Sequence, residues 1–290
     1  MPKKVARRTF LKRVASILLT AFGAGTGGYF YANKIEPSLL EITKHSFSHP
    51  QFPAGFDGLK VVQFSDTHLG FQYELSQLET LVKKINHFHP DIIFFTGDLM
   101  DEPNRYKSPS SIIPILTELK AKIGKFAIYG NHDHGGYGSD IYKELMEQSG
   151  FQLLLNQASR IDSPTGEHFY VAGVDDAMLG RPDLELTLRD VPHESFKILL
   201  CHEPDLADAA SELNVHLQLS GHSHGGQIKI PFLGPLVKPP LAKIYNEGFY
   251  SIGNQNPLTL YVNRGLGTTR MPFRFLSKPE LTVFTLKKDK

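Results

Sequence analysis

The sequence has no tryptophan and a single cysteine, Cys201. A lone thiol cannot close a disulfide within the chain, so cysteine usage leaves the compartment open. It also excludes a thiolate cluster as a metal site. Cys201 ends the apolar run Ile198-Leu199-Leu200-Cys201 and is expected to be a small buried hydrophobe. A surplus of one charge is lacking too, since 31 basic residues stand against 30 acidic ones. No like-charge run is long enough to track a phosphate backbone, so nucleic acid is not an expected partner. What is present is ample: 290 residues, 41% of them hydrophobic, can build a large core in one sizeable domain.

The N-terminus differs from the rest. Lys3, Lys4, Arg7, Arg8, Lys12 and Arg13 crowd it, and Val14 to Ala32 carries no charge. A basic region before an apolar stretch is the build of an export signal. Arg7-Arg8-Thr9-Phe10-Leu11-Lys12 resembles a twin-arginine signal. Dilution of the apolar part by Gly23, Gly25, Gly27 and Gly28 suits that route. The alternative is an uncleaved membrane anchor with its basic residues inside. The stretch is about long enough to span a bilayer, though glycine-rich for one. Phe30-Tyr31-Ala32 makes a poor cleavage site. Either reading places the following domain outside the cytoplasm, in the cell wall or at the outer face of the cytoplasmic membrane. Export machinery and a membrane surface are then the expected partners. The expected division is 1–32 as signal or anchor, 33–56 as a connector interrupted by Pro50 and Pro53, and 57–290 as the main domain.

In that domain one pattern recurs. An apolar run ends, and polar residues able to ligate a metal follow at once. Leu59 to Phe64 leads to Asp66-Thr67-His68, and Ile92 to Thr96 leads to Gly97-Asp98. Phe126 to Tyr129 leads to Gly130-Asn131-His132-Asp133. Ile198 to Cys201 leads to His202, and Leu217 to Ser220 leads to Gly221-His222-Ser223-His224. Helical spacing lies between. Leu75, Leu78, Leu81, Val82, Ile85 and Phe88 share one face, as do Ile112, Ile113, Leu116 and Leu119. Ile141, Leu145 and Met146 suggest a third helix. Strands alternating with helices predict an α/β fold with a buried, largely parallel sheet. Function collects at the carboxyl ends of such strands, where all five clusters fall. The C-terminal part reads as more β-rich: Gln227 to Ile230, Tyr250 to Ile252, Thr259 to Val262 and Leu281 to Leu286 are strand-like. Pro231 to Pro240 and Leu266 to Pro272 read as loops.

Imidazole, carboxylate and amide oxygen suit borderline and harder divalent metals. Asp66-x-His68 alone is a weak signal. Gly130-Asn131-His132-Asp133 would arise by chance in well under ~1% of chains of average composition. His45, His49, His87, His89, His134, His168, His193 and His216 are expected to be structural or solvated.

The ordered series Asp66-x-His68, Gly97-Asp98, Gly130-Asn131-His132-Asp133, His202 and Gly221-His222-x-His224 resembles that of the calcineurin-like metallophosphoesterases. Gly135-Gly136-Tyr137-Gly138, Gly225-Gly226-Gln227 and Val262-Asn263-Arg264-Gly265-Leu266-Gly267 resemble a narrower, twin-arginine-exported group. The resemblance implies a four-layer αββα sandwich of two mixed sheets flanked by helices. It implies two divalent metal ions, one held by Asp66, His68, Asp98 and His224. Asp98, Asn131, His202 and His222 would hold the other, with Asp98 bridging. His132 would sit beside the substrate phosphate, oriented by Asp133. Two such metals can share a hydroxide and clamp an in-line displacement at phosphorus. Two dications less Asp66, Asp98 and hydroxide leave a net charge of about +1, which attracts phosphate without trapping it. Manganese, iron and zinc all fit the ligands.

The expected activity is therefore hydrolysis of phosphomonoesters or phosphodiesters, on a phosphorylated small molecule or lipid. Arg264 and Arg270 are candidates for binding the phosphate. A second reading is a pyrophosphohydrolase of a lipid-linked or nucleotide-sugar diphosphate of the UDP-2,3-diacylglucosamine type. Phe232, Leu236 and Phe273 would then rim the site; otherwise they cover the second sheet and the arginines are solvated. A third reading is a silent cell-surface binding module, against which the intact ligand set argues.

Overall fold

Alternation along the strands decides the layers. The computed structural model describes residues 7–135, 139–253 and 256–289. In it Ile92 and Phe94 join one hydrophobic cluster while Ile93 and Phe95 join another, all four buried. Successive side chains of a strand point to opposite faces, so such a strand needs cover on both. This strand, β3 (Ile92–Phe95), lies in a six-stranded sheet with β1 (Glu41–His49), β2 (Leu59–Phe64), β4 (Gly124–Ala127), β5 (Gln152–Leu153) and β14 (Glu280–Lys288). Its order is β1-β14-β2-β3-β4-β5, with β2 to β5 mutually parallel. A second six-stranded sheet holds β6 (Gln157–Asp162), β7 (His168–Gly173), β8 (Lys197–Leu200), β9 (Leu217–Ser220), β12 (Gly248–Ile252) and β13 (Leu258–Val262). Its order is β12-β13-β9-β8-β7-β6, with the four central strands parallel. A small antiparallel hairpin, β10 (Lys229–Ile230) and β11 (Gly234–Pro235), joins neither.

Between the sheets pack Val61, Ile92, Phe94, Phe126, Phe169, Ile198, Leu217 and Phe284. On the outer face of the first sheet lie α2 (Leu75–His87), α3 (Ile112–Thr117) and α4 (Ser139–Gln148), against Val62, Phe64, Ile93 and Phe95. On the outer face of the second lie α5 (Leu184–Leu188) and α6 (Ala207–Ser211), with Leu199, Cys201 and Leu260 beneath. The expected four-layer αββα sandwich results. Each buried Phe or Leu contributes about 1.5–3 kcal/mol of transfer free energy. Cys201 has no exposed surface, and burial pushes its thiol up, so it is a filler rather than a nucleophile. Pro114 is the third residue of α3, where no intrahelical amide is lost.

Several expectations need correction. The segment 33–56 is more than a connector, because β1 pairs in parallel with β14 from Glu41↔Glu280 to His49↔Lys288. Its alternation is faint because it is an edge strand with only Phe47 buried. Strands β6 and β7 were also hidden; β6 is likewise an edge and mostly polar. Gln227 to Ile230 is strand only at Lys229–Ile230, and the loop 231–240 contains the returning arm β11. Gly136, Tyr137, Gly138, Lys3 and Lys4 lie outside the described residues.

The arginine pair and the apolar stretch form α1 (Arg7–Phe30), whose Phe10, Leu11, Ile17, Leu18, Leu19 and Phe22 are exposed. Among the described residues no helix is long and apolar enough to cross a membrane.

At the amino end of β9, away from the metal-ligand clusters, the buried His216 is satisfied as a neutral ring. Its Nε2 donates to Gln51 Oε1 at 2.7 Å and its Nδ1 accepts from Lys197 N at 3.1 Å. Burial, then the neighbouring His49, push its pKa from 6.5 down to about 3. Below pH 6.5 the unfolded chain therefore binds the extra proton. This contribution to stability is full above pH 6.5 and falls by up to ~1.4 kcal/mol per unit toward pH 3. Urea unfolding at pH 7 and pH 5 should show a smaller acid loss for His216→Gln than for the wild type. Equal losses would mean that His216 is not the group responsible.

Candidate metal centre

Parallel strands put their carboxyl ends at one edge, and the turns that follow carry the polar residues inward. Asp66 and His68 follow β2, Asp98 follows β3, and Asn131 follows β4. His202 follows β8, while His222 and His224 follow β9. The backbone is strained at this edge. Asp66, His68, Asp98, His222 and His224 all have positive φ, between 45° and 66°. Such conformations cost on the order of 1 kcal/mol each and persist only where the surroundings hold them. The motif glycines allow the crowding. A Cβ on Gly97, which has φ +97°, would lie 2.6 Å from Gly130 N and 2.7 Å from His202 Nδ1. One on Gly221 would meet Ser65 and the Asp66 carboxylate.

Two sets of donors converge. Asp66, His68 and His224 offer ligand atoms within 4.8 Å of one another, and so do Asp98, His202 and His222. Asp98 joins the two. Its Oδ2 lies 3.5 Å from His68 Nε2 and 3.3 Å from His202 Nε2, while its Oδ1 accepts from His132 N at 2.8 Å. The imidazoles are aimed by what holds their other nitrogens. His68 Nδ1 donates to Asp101 Oδ1 at 3.1 Å, His202 Nδ1 to Thr96 O at 2.6 Å, and His222 Nε2 to Pro240 O at 2.9 Å. Each of these rings is thereby oriented to offer its other nitrogen to an ion at the centre, the usual build of a metal-binding histidine. His224 differs, since its Nδ1 lies 3.3 Å from the Arg274 guanidinium.

The electrostatics suit cations. Burial opposes the charge on Asp98, yet the imidazoles of His202, His132 and His68 hold its carboxyl well below the usual range. Burial, then His202, push His222 down to about 4, which keeps it neutral and ready to ligate. His202 Nε2 and Asn131 Oδ1 are buried without a hydrogen-bond partner. Such atoms are costly to leave unpaired. They face the centre, so the donor set fits divalent ions.

Asp133 does different work from that expected. The Asp133 carboxylate does not touch the His132 ring. It accepts from Asp98 N at 2.7 Å, Gly130 N at 2.9 Å and Leu99 N at 3.0 Å, pinning the β3 turn to the β4 turn. Burial, then Asp98, raise its pKa to about 7. The residue that orients His132 is Asp101. Its carbonyl accepts from His132 Nδ1 at 2.7 Å, and its carboxylate lies 3.6 Å from the same nitrogen. Burial lowers the His132 pKa, but Asp98 and then Asp101 raise it overall, so the ring favours the protonated form. The spacing Gly97-Asp98-x-x-Asp101 was the available signal for Asp101.

The two candidate arginines separate. Arg264 is held away by Glu280 Oε2 at 3.0 Å and Glu41 Oε2 at 2.7 Å and lines no pocket at the centre. That corrects its assignment to substrate. Arg270 is exposed beside His132 and lines the cleft on both sides of it. Arg274 is neither solvated nor free for substrate; it is fully buried, donating to the carbonyls of Gly267, Ser277 and Arg264. Phe232 and Leu236 are exposed and do not cover the second sheet. Asp98, Asn131, His132 and His222 floor the cleft, and Met178, Val237, Pro239 and Met271 supply an apolar wall.

Arg270→Ala should raise KM about tenfold with kcat nearly unchanged, as loss of one exposed charge-assisted contact predicts. Arg264→Ala should leave KM alone and lower thermal stability. Steady-state kinetics on both variants checks the assignment, and the reverse pattern would refute it.

A two-sheet sandwich with imidazoles and carboxylates paired about one bridging aspartate defines a metal-dependent phosphoester hydrolase. The model of the calcineurin-like phosphoesterases matches residues 59–226, and the chain belongs to that family. It is 48% identical to the uncharacterized metallophosphoesterase YkuE of Bacillus subtilis, over 98% of this chain and 99% of that one. It is 28% identical to the UDP-2,3-diacylglucosamine pyrophosphatase LpxG of Chlamydia trachomatis, over 93% of this chain and 96% of that one. With the phosphodiesterase YaeI of Escherichia coli the identity is 27%, over 97% and 99% of the two chains.

Proposed function

We propose that the chain hydrolyses phosphomonoesters or phosphodiesters with two divalent ions. Asp66, His68, Asp98 and His224 would hold one, and Asp98, Asn131, His202 and His222 the other. The observation that carries this is Asp98 Oδ2, placed 3.5 Å from His68 Nε2 and 3.3 Å from His202 Nε2. Ions bound there would activate water and neutralise charge on the phosphoryl group. The chain's own residues do the rest. Against burial, Asp98 and then Asp101 favour the protonated His132 ring, whose Nε2 can then donate to a phosphoryl oxygen or to the leaving oxygen. Asp101 holds that ring in place, and Arg270 binds the far side of the phosphate.

A second reading takes a diphosphate with a lipid arm. The apolar wall of Met178, Val237, Pro239 and Met271 and the exposed Phe232 and Leu233 support it. So does the likeness to LpxG. We place the enzyme outside the cytoplasm, exported by the twin-arginine route and working near the membrane surface. The support for that is Arg7-Arg8-Thr9-Phe10-Leu11-Lys12 at the head of an apolar stretch.

The test is release of nitrophenol from nitrophenyl phosphate and bis-nitrophenyl phosphate, with manganese, iron, zinc or cobalt and after chelation. Metal-dependent release is the expected result. No release with any metal would favour the silent binding module. Turnover confined to UDP-2,3-diacylglucosamine would favour the diphosphate reading. Elemental analysis of protein from its natural compartment identifies the metal.

A further inference from the structure

The segment just after α1 is attached to the body at the loop that backs the metal centre. Ala32 O accepts from Arg274 N at 2.9 Å, and Asn33 Nδ2 donates to Pro272 O at 2.6 Å. Glu36 Oε1 accepts from Ser277 N at 2.6 Å. Tyr29 meets Phe273 edge-on with centroids 5.2 Å apart, and Tyr31 meets Phe275 at 6.3 Å. Asn33 and Glu36 are buried although they are polar and belong to a segment between a signal-like helix and the first strand. Buried polar groups on a dispensable leader would be a pure cost, and here each is used.

The other side of that loop touches the centre. Arg274 Nη2 stands 3.3 Å from His224 Nδ1, and Ser277 Oγ donates to His224 O at 2.8 Å. Three residues ahead of Pro272 the same loop carries Thr269, whose Oγ1 donates to Asp101 Oδ1 at 3.0 Å. His68, His202 and His222 each have a ring nitrogen on an oxygen acceptor, whereas His224 Nδ1 faces the Arg274 guanidinium. Ser277 holds the His224 main chain and Arg274 flanks its ring, and both sit on the loop that residues 32–36 anchor through Arg274 N and Ser277 N.

We propose that residues 29–36 are a strap that positions His224, with Asn33 and Glu36 as its positioning residues. Any processing of the N-terminus must then leave Asn33 and Glu36 in place. The strap rests on the reading of His224 as a ligand of the site that also takes Asp66 and His68.

Calorimetric titration of the full-length, metal-stripped chain with manganese or zinc tests it. Removing the direct partner of a metal-bound histidine typically costs about 10–100-fold in metal affinity, so a residue acting through the loop behind it should cost no more than the low end of that range. Asn33→Ala and Glu36→Ala should each weaken one of two sites about tenfold and leave the other within twofold. Glu36→Gln, which still accepts from Ser277 N, should restore the affinity to within about threefold of the wild type. Mass spectrometry of metal-loaded protein from producing cells should find Asn33 and Glu36 still attached. Both sites at wild-type affinity in a folded Asn33→Ala or Glu36→Ala chain would overturn the strap. Active, metal-loaded protein beginning at residue 37 or later would do the same. Should Glu36→Ala fail to fold, Asn33→Ala decides by the same criterion. A wild-type chain that takes up no metal would instead overturn the ligand reading beneath it.

Discussion

Asp98→Asn should empty both metal sites, not one. The Asp98 Oδ2 lies within 3.5 Å of an imidazole nitrogen from each set, so it would be the ligand that two bound cations share. An amide has one neutral oxygen and a donor group where the second oxygen stood. It can serve one ion at most, and it removes a negative charge from between two positive ones. A partner standing behind a ligand is worth about 10–100-fold in metal affinity, and a shared ligand should cost more, above ~100-fold at each site. Turnover should fall at least as far. The backbone of the variant should survive, because the turn is held by Asp133 through the amides of Asp98, Leu99 and Gly130. Elemental analysis and circular dichroism on one sample separate the outcomes. A folded variant with an unchanged metal count would refute the bridging role.

His132→Ala should do the opposite: kcat falls by about 10²–10⁴-fold while both metals stay. The ring also comes within reach of His68 and Asp98, but its Nδ1 is spent on Asp101 O and neither proposed ligand set needs it. Asp101→Asn should lose less, since the backbone carbonyl still holds His132, but it should also loosen His68, which shares the Asp101 carboxylate. The two losses should not add, as expected for residues that act through one another. Comparing a nitrophenyl ester with an alkyl ester assigns the proton. A leaving-group acid matters more for the alkyl ester, while a group stabilising the phosphoryl oxygens matters equally for both. Loss of both metals in His132→Ala would show that its role is ligation.

Much of this was legible in the sequence. Apolar runs ending in ligand-type residues identified β2, β3, β4, β8 and β9, because a strand buried on both faces is mostly apolar and stands out from the polar turn that follows. The candidate ligands that the fold brings together could be picked out because a metal site needs rare residue types in fixed places. What stayed hidden was direction. Asp133 is next to His132 in the chain, yet its carboxylate points back to the β3 turn, and the partner of His132 comes from Asp101, over thirty residues earlier. Arg264 and Arg270 sit six residues apart, and only the fold shows that one faces Glu280 and the other the cleft. The edge strands β1 and β6 were obscured because an edge with one solvated face needs little apolar character. The positive φ at Asp66, His68, Asp98, His222 and His224 leaves only a faint mark in residue type: aspartate and histidine are enriched in that conformation among non-glycine residues, yet most of them adopt others.

The two sets of ligands are drawn from both sheets. His68 and Asp98 belong to turns of the first, and His202, His222 and His224 to turns of the second. The centre is therefore a clasp across the seam of the sandwich, and the side chains filling that seam set its gauge. Phe94, Phe126 and Ile198 never approach a metal ligand's chemistry, yet their volume fixes how far apart the jaws stand. A change in that filling that spares the fold would still be felt at the edge as a change in which ion fits.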